Sequence, residues 1–152
     1  LTETNAGRAD GRVMALDLGD RVIGVALSDP TRTLATGLCG LKRTTLPRDL
    51  AALAAIVAEH EVTHVLYGLP LRLDGRESLQ TRKSKALAAQ IARALALPME
   101  PVDERWSTVA ASRALREAGH DSRAQRGVID QAAATVMLQS WLDVHGRAPA
   151  RP

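Results

Sequence analysis

Three short apolar runs follow one another with almost no chain between them, and the pattern then switches to helix and strand in alternation. The runs cover residues 13–17, 22–28 and, more weakly, 34–41. Gly19, Asp20 and Arg21 form the turn between the first two, so strands linked this closely must pair antiparallel. Beyond Pro47 the apolar residues Leu50, Leu53, Ala54 and Val57 recur at helical spacing through about residue 59. A strand follows at 62–67, then a polar loop over 68–78 and a helix over 79–97 that Pro98 stops. The last strand is expected at 99–102. Ser107 is suited to cap a helix reaching Ala118, with Gly119 as its C-cap. A polar, mobile loop is expected over 119–127, then a final helix over 128–144. The order β-β-β-α-β-α-β-α-α implies an α/β fold with a five-stranded mixed sheet, three antiparallel strands and then alternating helix and strand, with helices packed on it.

Residues 12–145 make one domain in this reading, between a flexible start (1–11) and a flexible tail (146–152). Phe is absent and aromatic residues are 2% of the chain, so the core is built from Leu, Val, Ile and Ala. That scarcity removes the aromatic platform on which unpaired bases stack. The net charge is +3. Nearly all the cations are Arg, which binds phosphate bidentately, although a genomic base bias accounts for Arg excess equally well. Cys39 stands alone, which excludes a disulfide within the chain or a multi-cysteine zinc site. His60 and His64 straddle a helix end and a strand start and are read as unrelated. No apolar run reaches the ~18 residues that span a bilayer, and residues 1–11 lack the apolar stretch of a signal peptide. The expected place is the cytoplasm, away from membranes.

Against this background a few carboxylates stand out. Asp17 ends a strand that is apolar on both faces, where an ionised group costs free energy unless something compensates it. Opening the turn to Gly19 is its simpler role. Asp103 and Glu104 follow the last strand, where a solvated charge cluster is common. Asp130 opens the final helix, where acids are favoured by the dipole. It also stands at i, i+4, i+7, i+11 with Ala134, Met137 and Trp141, on the edge of the apolar stripe. In open sheets, ligand sites form beyond the carboxyl ends of strands, and Asp17 and Asp103/Glu104 both occupy such ends. Three converging carboxylates repel, and hard divalent cations relieve that repulsion. Two such ions ~4 Å apart serve phosphodiester hydrolysis. Without His or Cys clusters, Mg²⁺ or Mn²⁺ is favoured over zinc.

Four segments carry a family resemblance. LDLGDRVIGVALSDP (16–30), YGLPLRLDGRES (67–78), VDERWSTVAASRAL (102–115) and VIDQAAATVMLQSWL (128–142) resemble, in order, the YqgF/RuvX family of RNase H-like nucleases, related to Holliday-junction resolvases. The resemblance implies an RNase H-like fold and a hydrolase that cuts phosphodiester bonds with two metal ions. It also implies a role in maturing the 5′ end of precursor 16S rRNA, with resolution of branched DNA as the alternative. The family's acidic positions fall on Asp17, Glu104 and Asp130, as catalytic groups and metal ligands, with Asp103 and Asp29 ranked second. Arg105, Ser107 and Thr108 match positions suited to phosphate contact. Asp20 and Trp106 depart from the residues usual there, a small polar residue and Leu.

Arg21, Arg76, Arg82 and Lys83 are further candidates for nucleic-acid contact, since backbone phosphates supply most such affinity. Arg123 and Arg126, in the expected loop before Asp130, are placed to steady transition-state charge. The expected partner is nucleic acid, RNA ahead of DNA, with transient association with a ribosome precursor and a monomeric or homodimeric state. Two readings from other classes stand beside this one. The first hairpin resembles the phosphate-binding hairpin of actin and sugar kinases, but those proteins need two copies of the core to enclose ATP. A non-catalytic ribosome-assembly factor is the other, and retention of all three acids argues against it.

Overall fold

In the computed structural model the described residues are 11–103 and 123–145, with 123–130 described as backbone only. Three strands lead: β1 (Arg12–Leu18), β2 (Val22–Ser28) and β3 (Ala35–Lys42). Helix α1 (Leu46–His60), strand β4 (Val62–Leu69), helix α2 (Leu79–Leu95), strand β5 (Met99–Asp103) and helix α3 (Arg123–His145) follow. The five strands form one sheet in the order β3-β2-β1-β4-β5. The pairs β1–β2 and β2–β3 are antiparallel, and β1–β4 and β4–β5 are parallel. The alternation of apolar runs had implied this mixed sheet. The helix expected from Ser107 lies outside the described residues.

The central strand shows why its run 13–16 is apolar on both faces. Met14, Leu16 and Leu18 face one way, into a cluster with Leu53 of α1 and Ala88 and Ile91 of α2. Val13 and Ala15 face the other way, into a cluster with Ala133, Ala134, Met137 and Leu138 of α3. Side chains alternate along a strand, so a strand covered on both faces has no polar side. Asp17 shares the face of Val13 and Ala15, and it is fully buried.

Local chemistry sets the helix ends. Thr45 caps α1 by accepting from the Arg48 N–H, and Pro47 stands in the first turn. Ser78 and Thr81 cap α2 reciprocally. Both helices end on a non-glycine residue in the left-handed region, Glu61 (φ 54°) and Ala96 (φ 53°), each donating its N–H to a carbonyl of the last turn. Helix α3 begins at Arg123, five residues before the expected start. Arg123 and Arg126 therefore stand in a helical turn and not in a loop. Arg, Ala and Gln are strong helix formers that cost little here, which leaves the ~1 kcal/mol of Gly127 as the main local penalty.

Helix α3 crosses the sheet closely. A Cβ on Gly37 of β3 would stand 2.7 Å from Cγ of Gln131, so a side chain there would force Gln131 to move. At its other end, Gln139 accepts from the Ala35 N–H (2.9 Å) and donates to the Thr33 carbonyl (3.0 Å).

Candidate active site

The sheet has two ends of different character. The carboxyl end gathers the turn Gly19–Arg21, the segment leading into α1, the tip of β4 with the start of α2, and Asp103. Asp17 lies there, on the α3 face. Its antiparallel partner is Gly24, which in turn pairs with Gly40 on β3. Asp17, Gly24 and Gly40 make a row across three strands with no side chain beside the carboxylate on β2 or β3. Such rows let another backbone approach closely.

The structure brings several candidates to this end. Asp103, the last residue of β5, pairs with Leu69 and is exposed. By alternation with Val102, which packs toward α3, its side chain takes the opposite face from Asp17. Arg21 is exposed in the β1–β2 turn, and Arg82 and Lys83 are exposed in the first turns of α2. Arg76 stands on a small hairpin, where its Nε lies 3.7 Å from Asp74. The fully buried Thr81 donates to the Pro70 carbonyl and fastens that hairpin to α2.

Asp29 belongs elsewhere. Because β2 runs antiparallel to β1, its carboxyl end lies at the amino end of β1, where the Val13 N–H donates to Ser28 (2.9 Å). Asp29 accepts from the Thr31 hydroxyl and from the N–H groups of Thr33 (2.7 Å) and Leu34 (2.9 Å). Burial pushes its carboxyl up, but these hydrogen bonds outweigh it and bring the pKa down to about 2. The carboxylate organises the β2–β3 loop, four to five strand residues or roughly 15 Å from Asp17.

Glu104, Arg105, Ser107 and Thr108 lie outside the described residues, and Asp130, Arg123 and Arg126 are described only as backbone positions. Position 130 precedes the buried Ala133, Ala134 and Met137 by three, four and seven residues, on the stripe that packs on the sheet. Among the described residues no three His, Cys, Asp or Glu side chains come together to hold a metal ion.

The amino end holds a cluster that sequence reasoning missed. Glu100 accepts from Trp141 Nε1 (3.0 Å) and lies 3.2 Å from His64 Nε2. The His64, Trp141 and His145 rings stack in succession, with centroids 5.5 and 4.8 Å apart. The hydrogen bond from Trp141 and the proximity of His64 hold the Glu100 carboxyl below its usual value. The only available signal was the register of β4 against β5, which sequence alone does not supply.

The fold matches that of Thermus thermophilus RuvC solved with a Holliday junction substrate (TM-score 0.54, 12% identity, 88% of this chain and 94% of that one). It is the RNase H-like fold, with a buried acid at the carboxyl end of its central strand. Within that class, residues 11–144 match the family described as "RuvX: Holliday junction resolvase", and the chain belongs to this family. A Myxococcus xanthus relative named "Putative pre-16S rRNA nuclease" is 50% identical over 88% of this chain and 89% of its own length. An Anaeromyxobacter relative of the same name is 44% identical over 87% of this chain and 96% of its own.

Proposed function

We propose that the protein is a metal-dependent nuclease that hydrolyses phosphodiester bonds, and that its substrate is the 5′ region of precursor 16S rRNA. The observation that carries this reading is Asp17, a fully buried carboxylate at the carboxyl end of the central strand, on the face covered by α3. Asp17, Glu104 and Asp130 are its catalytic groups.

Their convergence is supported by dimensions. Val13 pairs with His64, and Trp141 stacks on His64, so β1 and α3 share a common origin at the amino end. From there Asp17 is four strand residues away, roughly 13 Å. Position 130 is eleven helical residues from Trp141, roughly 16 Å. Both therefore lie at a similar distance from the amino end, measured along the strand direction. Glu104 is one peptide, ~3.8 Å between Cα atoms, beyond Asp103 at that end.

The donor set fits Mg²⁺ or Mn²⁺. It consists of carboxylate oxygens, and the described histidines lie at the amino end. When bound, such ions supply an activated water and neutralise charge at the leaving oxygen. The chain's own contribution is placement. The β1 ladder holds Asp17 rigidly, and burial in a low-dielectric site strengthens its pull on any cation. The glycine row leaves room for a substrate backbone, and Lys83, Arg82 and Arg21 hold its phosphates.

Resolution of DNA junctions is the second reading, favoured by the fold shared with a RuvC solved on such a substrate. A cleavage panel with precursor rRNA fragments, single strands and a four-way junction, run with Mn²⁺ and with chelator, separates the two. RNA cleavage that needs the metal is expected, and junction cleavage without RNA cleavage would favour the alternative. No helix of the described residues is long and apolar enough to cross a membrane. We place the enzyme in the cytoplasm with its RNA.

A further inference from the structure

A cleft of about 350 Å³ opens beside the tip of β1, on the α1/α2 side. Leu18, Asp20, Arg43, Gln80, Lys83 and Ser84 are among its lining residues. Leu18 follows Asp17 directly, so the cleft and the buried acid flank one strand end on opposite faces of the sheet. A substrate strand crossing the end of β1 meets both.

The lining has the character of a built anion site. Ser84 is 3% exposed and lines the cleft. Arg43 is preorganised: Nη1 donates to the Gly19 carbonyl (3.3 Å) and Nε lies 3.6 Å from Asp49. These contacts leave its Nη2 donors for a ligand. Lys83 has no ion-pair partner among the described residues, unlike Lys85, which pairs with Glu77. The first turn of α2 carries no acid, against the usual preference of a helix start. Asp20 is the one acid in the lining, exposed, and its carboxylate is able to accept a hydrogen bond from a ligand hydroxyl. A ribose 2′-hydroxyl supplies one, and deoxyribose within a strand does not. The volume is at the lower end of the range for small-ligand sites, on the scale of one nucleotide.

We propose that this cleft is a subsite for one ribonucleotide of the substrate strand, next to the nucleotide being cut. Lys83, Arg43 and Ser84 hold its phosphate, and Asp20 accepts from its 2′-hydroxyl. The inference deepens the nuclease reading by assigning the preference for RNA to a place in the fold.

The test is binding without cleavage. Labelled short single strands of RNA and of DNA with the same sequence are titrated in chelator. Lys83→Gln is expected to weaken RNA binding about ten-fold and to lower the salt slope by about one. Arg93→Gln, the same charge change on α2 away from the cleft, serves as control and has little effect. Ser84→Ala is expected to weaken binding by a smaller factor. RNA is expected to bind about five-fold tighter than DNA, and Asp20→Ala to erase most of that difference. Free 5′-AMP is expected to shift the Lys83 and Ser84 amide resonances only at millimolar concentration. Equal effects of Lys83→Gln and Arg93→Gln, or an RNA preference untouched by Asp20→Ala, would overturn the proposal. So would tight AMP binding, which would make the cleft a free-nucleotide site. Because these readings need no turnover, a protein that binds as described yet never cleaves would overturn the nuclease reading alone. Cleavage lost in Asp17→Asn alongside indifferent cleft variants would overturn the cleft alone.

Discussion

The two ends of the sheet use their acids differently. At the amino end, Asp29 is held by three donors of its own loop, and Glu100 bridges Trp141 and His64. Both tie elements together and face water in part. At the carboxyl end, Asp49 does similar work, accepting from the Thr44 N–H (3.0 Å) at the start of α1. Asp17 is another matter. It is withdrawn from solvent on a strand whose residues 13–16 and 18 are apolar, in a row with Gly24 and Gly40. Under the proposed function, an acid that links loops is an architectural part, whereas the one sunk at the tip of β1 is a chemical one.

Substitutions can break that contrast, beginning with the largest effect. Asp17→Asn keeps the shape and removes the charge. Cleavage should fall more than the ~10–100-fold typical of residues one step removed from a metal, while circular dichroism stays native. Unchanged cleavage would erase the distinction between the two ends. Next, Leu138→Ala empties a fully buried site under α3. It should cost roughly 2–5 kcal/mol by denaturant unfolding. A loss well under 1 kcal/mol would mean that α3 is not seated on the sheet as described.

Trp141→Phe keeps an aromatic ring, smaller than the indole, and removes the bond to Glu100. A loss of about 0.5–1.5 kcal/mol is expected, with the cleavage rate unchanged, since the cluster is far from Asp17. A strong loss of activity would show that the amino end is not merely architectural. The smallest effect concerns acid. The folded pKa of Asp29 is about 2 against an ordinary 3.8. Its stabilising contribution is therefore complete above about 3.8 and is lost as pH falls from there through about 2. Glu100, also lowered, loses its share in the same direction as pH falls below 4.5. In Asp29→Ala the slope of stability against pH should flatten in the lower window, and an unchanged slope would contradict the loop's hydrogen bonds.

Much of the fold was legible because periodicity is a local property. The apolar runs of β1 and β2 and the helical spacing of α1 and α2 are visible in a few residues, and their ends agree within about two positions. The early start of α3 was obscured by a polar stretch, 123–127, whose residues suit a helix as well as a loop. Position mattered more than composition for the acids. Asp17 was identifiable because an apolar strand makes a carboxylate conspicuous. Asp29 ranked second in sequence, and only the antiparallel run of β2 carries it to the far end. The Glu100 cluster depends on which strands lie side by side, and nothing local announces that. Arg43 and Ser84 were invisible for the same reason, since they face one cleft only after α2 packs beside the first hairpin.

The convergence of Asp17, Glu104 and Asp130 is tested most directly by crystals soaked in Mn²⁺ and measured for anomalous scattering. The expected result is manganese at the carboxyl end of β1, with oxygens of all three side chains about 2.1 Å from the ions. A map with no anomalous peak at Asp17, or with the Asp130 side chain turned away from it, would contradict the assignment of this end of the sheet as the catalytic one.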